Sequence, residues 1–264
     1  MRRRGRPERG GLADDRTRAL RTAAALLFVA SAAIAAPPMH PVKEPSVVAT
    51  ARSRYAIVQA DQQVGHEITT RSVFDNNTIR FESESVVRSG VVMLTNRSNL
   101  TIEEESYFPR AYRADKTIEQ PQEKFVHTLT VDMFANLAVL GSELRGAKDT
   151  RRVVVPTGTA IQEVGLIYPW YQLLFWADPA NEGRQRIQWL DPASGAIDTG
   201  ELYAAGRETI DVLGKKTPVT VYKAERERLG AATLYVDAKK RIVKAEQNMM
   251  IYRLDEWSEE LAKK

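Results

Sequence analysis

The sequence predicts a mainly β protein, an antiparallel sheet accompanied by one short apolar helix. β-rich runs are separated by turn residues at intervals of about 8 to 12 residues, which is typical of an antiparallel meander rather than of alternating strands and helices. Within these runs, apolar and polar side chains alternate with the two-residue period of a half-buried strand. One segment, residues 165–183, departs from this pattern because it carries five aromatic residues within nine positions.

The N-terminus is typical of a secretory signal peptide, because an arginine-rich lead precedes an uninterrupted run of small and apolar residues, 22–36. A run of about fifteen residues is shorter than the ~20 that a membrane-spanning helix needs. We expect cleavage between Ala35 and Ala36, since cutting one residue later would place Pro37 at the scissile bond. An uncleaved membrane anchor and a start codon further along the chain remain open alternatives. A twin-arginine signal is disfavoured because the arginines stand far from the apolar run.

Removal of this segment changes the charge of the protein. Residues 1–35 hold eight arginines and three acidic residues, a net charge of +5, whereas the whole chain carries +4. The mature chain therefore carries about −1, and the basic character that would favour a nucleic-acid partner is lost with the signal. We expect an exported protein, periplasmic or secreted in a bacterium, without a transmembrane span after cleavage.

The mature chain, 36–264, is long enough for one large β domain or two small ones. Four prolines in 36–53 predict a tether, followed by an antiparallel β domain over 54–254 and a charged C-terminal tail, 255–264, which we expect to form a frayed helix. The chain has no cysteine, which excludes disulfides, thiol catalysis and thiolate metal sites.

Individual runs predict the strands and turns. In residues 124–134, Phe125, His127, Leu129, Val131 and Met133 alternate with more polar residues, which predicts one buried face and one exposed or weakly covered face.

Between the strands, the sequence predicts turns at 75–77, 96–99, 192–195 and 238–240. His66, which follows Gly65, is also predicted to lie in a turn. Residues 135–148 are compatible with a short helix or an irregular crossing, and both readings stay open.

The aromatic segment is the best candidate for a helix. At helical spacing, Tyr168, Tyr171 and Phe175 fall on one stripe, Pro169 suits a first turn, and the Asp-Pro pair at 178–179 ends the run. Nearly every face of this helix is apolar, so we expect it to be buried.

From Gly206 onward, the chain resembles the closing strands of an uncharacterised family of exported bacterial β-sheet proteins, a domain of unknown function. The residues that carry the resemblance are Gly206 with Glu208, the alternating run ending in Tyr222, the Leu-Tyr-Val-Asp run at 234–237, and the Arg-Ile-Val-Lys run at 241–244. The resemblance covers roughly residues 53–254. It implies a strongly curved antiparallel sheet, a half-barrel or β-clam, with the apolar helix packed in or over its concave face. Such a sheet is distantly similar to the half-barrels of the lipoprotein-localisation factors, which hold an acyl chain.

The candidate ligand-binding residues follow from that arrangement. The aromatic segment is interpreted as core filling, as the wall of a cavity for a lipid or another hydrophobic molecule, or as an exposed loop that contacts a membrane or a partner. His127 is either a polar anchor in the cavity or a hydrogen-bonded core residue. The candidate set is Tyr168, Trp170, Tyr171, Leu174, Phe175, Trp176, His127 and Met133.

No motif in the sequence announces a reaction. The three histidines lie far apart without a partner at zinc-binding spacing, no G-x-S-x-G is present, and we expect no cofactor, no metal and no catalytic residue.

Three hypotheses follow. The first is a non-catalytic binding or carrier module that holds a hydrophobic molecule or a partner segment in its concave sheet. The second is an envelope structural or interaction protein with a solid core, and the third is an unrecognised hydrolase. The volume left inside the sheet discriminates between the first two.

Overall fold

Fifteen β-strands and one α-helix make up the described part of the chain in a computed structural model. The structure describes residues 44–176 and 183–261. The predicted signal peptide, its cleavage site between Ala35 and Ala36, and the tether as far as residue 43 lie outside the described residues. Glu44–Lys264 form one compact unit.

The strands are long, and most are joined by tight hairpin turns. The first eight are β1 (Val47–Gln59), β2 (Gln62–Phe74), β3 (Thr78–Ser89), β4 (Val92–Glu103), β5 (Pro109–Gln120), β6 (Glu123–Phe134), β7 (Leu137–Leu144) and β8 (Ala147–Val154). The others are β9 (Thr159–Ile161), β10 (Gln185–Leu190), β11 (Ile197–Val212), β12 (Lys215–Arg226), β13 (Ala232–Asp237), β14 (Ile242–Gln247) and β15 (Met250–Leu261). The helix α1 (Pro169–Trp176) lies between β9 and β10.

All of these strands belong to one sheet. Its order is β8-β7-β6-β5-β4-β3-β2-β1-β15-β14-β13-β12-β11-β10-β9, so that β1 and β15, from opposite ends of the chain, pair at its centre. Neighbouring strands run antiparallel except for β9 and β10, which are parallel. The sheet is not closed, since β8 and β9 are its two edges. The prediction of a mainly β protein built on a curved antiparallel sheet is confirmed.

Alternation places one face of the sheet in the core. In β6, Leu129, Val131 and Met133 are buried, whereas Asp132 and Phe134 between and beyond them are exposed. The buried faces of both halves of the sheet contribute to a single hydrophobic core, which also contains most of the helix.

The predicted helix forms where the aromatic segment lies. Pro169 is its first residue, a position where the missing backbone N–H costs nothing because first-turn N–H groups have no helical partner. The turn before it is closed by Trp170 N–H donating to Ile167 O at 3.0 Å and Tyr171 N–H donating to Tyr168 O at 3.1 Å. Within residues 44–176 and 183–261, no helix has both the length and the apolar character needed to cross a bilayer.

Both ends of the β domain extend further than the sequence predicts. β1 begins at Val47, inside the predicted tether, and the predicted helical tail is strand as far as Leu261. The two extensions pair with each other, with Ala49 opposite Leu261 and Ser53 opposite Trp257. Pairing between distant chain ends satisfies backbone groups that neither segment can satisfy alone, which explains why local composition misled the prediction.

Three internal predictions are also wrong. Residues 96–99 are not a turn but the middle of β4, and residues 135–148 form most of the β7–β8 hairpin rather than a short helix or an irregular crossing. His66 lies within β2. In β4, the polar side chains that read as turn residues alternate between solvent and a polar part of the interior.

The edge strand β8 contacts the turn between β10 and β11. Arg151 donates from Nη1 to Ser194 O at 2.8 Å and from Nη2 to Ala193 O at 3.1 Å. The two ends of the sheet are therefore brought together by side-chain bonds rather than by strand pairing.

Candidate functional site

The segment between β9 and the end of α1 fills the concave face of the sheet. Tyr168, Trp170 and Leu173 are fully buried, and Phe81 of β3 stacks on Tyr168 and Tyr171 with ring centroids 6.1 and 5.9 Å apart. Of the three interpretations of the aromatic segment, the geometry therefore supports core filling for most of its residues.

Trp170 has partners on three sides. Its Nε1 donates to Gln247 Oε1 at 3.1 Å, the Trp189 ring meets it edge-on, and the Arg226 guanidinium lies over its face. A side chain fixed in this way is part of the structural core and leaves no face for a ligand.

The structure brings most of the predicted site residues together, but in the core. Leu174 and Met133 are buried in the same hydrophobic cluster as Trp170. Phe175 and Trp176 are half-buried at the rim, where Phe175 stacks on Tyr107 and Trp176 Nε1 donates to Ser106 O at 3.0 Å.

A row of polar side chains crosses the concave face beneath this segment. The strand registers place Glu67 opposite Ser85, Ser85 opposite Asn96, Asn96 opposite Lys116, and Lys116 opposite His127. Residues opposite one another in adjacent strands share a face, so the five side chains form one line from β2 to β6.

Glu67 anchors the aromatic segment to the sheet. Its carboxylate is fully buried and accepts the Ile167 backbone N–H at 3.1 and 3.0 Å on its two oxygens, together with the Ser83 hydroxyl at 3.1 Å. Burial raises the pKa of Glu67 to about 7, and the hydrogen bonds from Ile167 and Ser83 oppose that rise.

A second buried carboxyl, Glu163, reaches the same row from the loop after β9. Its Oε1 accepts a hydrogen bond from Asn96 Nδ2 at 2.6 Å and lies 2.6 Å from Lys116 Nζ. Burial raises the pKa of Glu163 to about 8, against the hydrogen bond from Asn96. Burial lowers the pKa of Lys116. The carboxyl and the amine are thus within hydrogen-bonding distance of each other.

His127 lies at the end of this row and is half-buried. Its Nε2 is 2.9 Å from Ser142 Oγ, and its pKa is lowered by burial and by the nearby charge of Lys116. The hydrogen-bonded reading of this histidine therefore agrees with the structure. Among the described residues, no group of three or more His, Cys, Asp or Glu side chains is arranged to hold a metal ion.

The carboxyl groups at the polar row are closed off from solvent, whereas Lys116 and His127 are partly exposed. Glu67 is buried beneath the segment between β9 and the end of α1, and Glu163 is buried within it, so a substrate would reach these carboxyls only after that segment had moved. The two carboxyls with raised pKa values are therefore shielded from a reacting molecule.

An accessible pocket opens beside the row, where the aromatic segment stops covering β1 to β3. Its volume is about 270 Å³. The strands provide its floor, the helix provides Tyr171, and the β13–β14 turn reaches over from the far side of β15. It is lined by Ala51, Ser53, Thr69, Arg71, Phe81, Tyr171, Lys239, Lys240, Arg241, Trp257 and Glu259.

Hydrogen bonds hold the helix at the edge of this pocket. The hydroxyls of Tyr55 and Tyr171 lie 2.9 Å apart, Tyr55 donates to Ile242 O at 2.9 Å, and the Ile242 N–H donates to Tyr171 at 3.3 Å. Burial raises the pKa of Tyr171, while the positive charge of Arg71 acts in the opposite direction. Tyr171 is thus the one predicted site residue that both packs in the core and lines an open pocket.

Sequence reasoning identified His127 but missed the other residues of the polar row and the pocket cations. In β2, Glu67, Thr69 and Arg71 share a face, and that face is polar enough to read as the outside of the strand. Asn96 was assigned to a turn. The sequence did contain one signal, since polar residues occur at every second position in neighbouring strands. Correct pairing of those strands would have placed these polar residues side by side.

The fold and pocket together define a class: an open, curved antiparallel sheet whose concave face holds a short aromatic helix. Among solved structures, the chain is similar to a β-barrel-like protein of domain of unknown function DUF1849 from Brucella abortus. The two are 8% identical, the match covers 81% of this chain and 99% of that chain, and the TM-score is 0.58. No protein-family model matches the chain, and no curated protein matches it. The likeness shows the fold, and the expected export and kinship with lipoprotein-localisation factors stay predictions.

Proposed function

We propose that this protein is an exported, non-catalytic binding module that holds a small amphipathic molecule in the pocket beside α1. The observation that carries the proposal is the pocket of about 270 Å³, whose lining combines aromatic rings with polar groups. Ligand sites combine apolar walls with a few placed polar groups, and this pocket has both.

Its size limits the ligand. A cavity of about 150 Å³ encloses a benzene molecule, so this pocket suits a ligand, or the end of one, with roughly a dozen non-hydrogen atoms. Trp170 and Leu174 are buried inside the sheet. They occupy the space that a full acyl chain would need. The ligand thus differs from the one expected for a hollow half-barrel: it binds at the rim and not through the interior.

Filling the pocket tests the proposal. Ala51 is buried on the pocket floor, and Ala51→Phe places a ring where the ligand would lie. Native mass spectrometry of the purified protein, with octan-1-ol, octanoate and octyl phosphate offered in turn, should detect one-to-one binding of at least one. Ala51→Phe should weaken this binding about tenfold or more.

Thr50→Phe is the matched control, since Thr50 is the neighbouring residue of β1 and points to the other face. Both variants should keep the circular dichroism of the wild type. Failure of all three amphiphiles to bind, or equal binding by both variants, would contradict the proposed function.

A second candidate function is an interaction module that uses the sheet edge. Seven of the eight β8 residues are exposed, and β8 pairs with β7 on one side only. A free edge can accept a strand from a partner. This edge carries charged residues such as Lys148 and Arg152, and charged side chains on an edge strand oppose pairing with another chain. Ligand binding in the pocket is therefore the favoured function.

A further inference from the structure

The charge of the pocket points to the kind of ligand it takes. Its lining includes four cationic side chains, Arg71, Lys239, Lys240 and Arg241, and a single carboxylate, Glu259. Three of the cations come from the β13–β14 turn, and Arg71 comes from β2 on the opposite wall. A molecule between them would meet positive charge from two sides.

Arg241 is already committed to partners within the protein. Its guanidinium pairs with Asp237, with Nη2 to Oδ2 at 2.5 Å, and lies over the Trp257 ring at 5.1 Å. It therefore shapes the pocket wall and holds the turn in place.

Arg71 has no such partner. It is half-buried, its Nε is enclosed without a hydrogen bond, and it forms no ion pair within residues 44–176 and 183–261. A guanidinium that is partly removed from water and left unpaired is costly, and an anion supplied from outside would satisfy it.

Glu259 does not neutralise Arg71. The register places Ala51 between them, with Glu259 opposite Ala51 in β15 and Arg71 opposite Ala51 in β2. Strands two apart are separated by about 10 Å, and no ion pair joins the two side chains within residues 44–176 and 183–261. The Glu259 carboxylate lies on the β15 side of the pocket, two strands from Arg71.

The apolar part of the pocket adjoins Arg71. Phe81 lies directly opposite Arg71 in β3, and the Tyr171 ring stacks on Phe81 at 5.9 Å. A ligand bound to the guanidinium would thus place its next atoms against aromatic rings.

Resting on the proposed binding function, we infer that the pocket is specific for an amphiphile with an anionic head, a carboxylate or a phosphate, bound by Arg71. Lys239 and Lys240 are exposed on the turn and contribute long-range attraction rather than fixed contacts. The planar guanidinium supplies two parallel donors, which match the oxygens of either head.

A head-group series tests this inference. The affinity of the wild type is measured for octanoate, octyl phosphate, octan-1-ol and octyltrimethylammonium, which share one chain length and differ in charge. We expect the anions to bind at least about tenfold more tightly than the alcohol, and the cation to bind most weakly. Arg71→Gln should remove the preference for anions and leave binding of octan-1-ol unchanged, whereas Arg71→Lys should restore part of it.

The control variant is Arg52→Gln, which removes an exposed arginine on the opposite face of β1 and should change nothing. Inorganic phosphate and acetate are offered as well, to separate an amphiphile site from a site for free anions. Tight binding of free phosphate with no gain from the octyl chain would overturn the inference in favour of a plain anion site. Equal binding of alcohol and anions, unaffected by Arg71→Gln, would overturn it while leaving the binding function intact, and binding of none of them would refute the function itself.

Discussion

At the scale of single residues, Glu67 is the most consequential side chain that is neither aromatic nor in the pocket. It ties residues one hundred positions apart, because its two oxygens receive the backbone N–H of Ile167. The hydrogen bonds fix the position of the carboxylate, whereas burial disfavours its charged form. The anchor is therefore sensitive to pH.

The sign of this sensitivity follows from the raised pKa. Between the ordinary pKa of 4.5 and the folded value of about 7, the unfolded chain loses the Glu67 proton while the folded protein keeps it. The contribution of Glu67 to stability is therefore fully present below pH 4.5 and is lost as the pH rises through 7.

Glu67→Gln should remove this pH dependence. Glutamine keeps one acceptor oxygen for the Ile167 N–H and has no charge to bury. Between pH 5 and pH 8, the unfolding free energy of the wild type should fall relative to that of Glu67→Gln by about 2 to 3 kcal/mol. Urea unfolding across this range measures the difference. Parallel curves for the two proteins would show that Glu67 does not titrate in this window.

At the scale of elements, α1 is a core element with a rim. Trp170 at its start is fully buried, whereas Trp176 at its end is half-buried and bonded to the β4–β5 loop. An acidic residue at position 170 should unfold the domain, because its charge would be buried in the apolar core, whereas a charge at position 176 can reach water at the rim.

Two truncations should separate the core from the rim. Trp170→Ala should lower the unfolding free energy by about 3 to 5 kcal/mol, because it empties a filled interior and leaves Gln247 without its indole partner. Trp176→Ala should cost about 1 to 2 kcal/mol, since part of that ring already contacts solvent. Denaturant unfolding with a common slope gives both values. Equal losses at the two positions would contradict the division of the helix into core and rim.

At the scale of the whole molecule, most strands were predictable and their partners were not. Alternation identified β6 and the apolar run identified α1, because both signals are local. The pairing of β1 with β15 and the line from Glu67 to His127 depend on register between distant segments. A composition that reads as tether or tail acquires strand structure only when its partner is present, and the polar row exists only once five strands are aligned.

Contacts between segments that are distant in sequence also hold the two ends of the open sheet together. Its edges β8 and β9 do not pair, and Arg151 joins β8 to the turn between β10 and β11 through hydrogen bonds to Ser194 O and Ala193 O. If these bonds fix the edge, β8 is held from both sides, by the β7 ladder and by Arg151. An edge strand without the second contact opens more often than the strands inside the sheet.

Arg151→Met should therefore loosen β8 without unfolding the molecule. The aliphatic side chain keeps the contact with the turn but loses both donors, so the amides of Ala147–Val154 that bond to β7 should exchange about tenfold faster in hydrogen–deuterium exchange. Amides in the central strands β1 and β15 should keep their protection. Arg152→Met is the control, because Arg152 is the exposed neighbour in the same strand and alternation directs its side chain to the opposite face. If both variants exchange at the wild-type rate, the two ends of the sheet are held by packing of the core against them, and the arginine contacts follow from that arrangement instead of causing it.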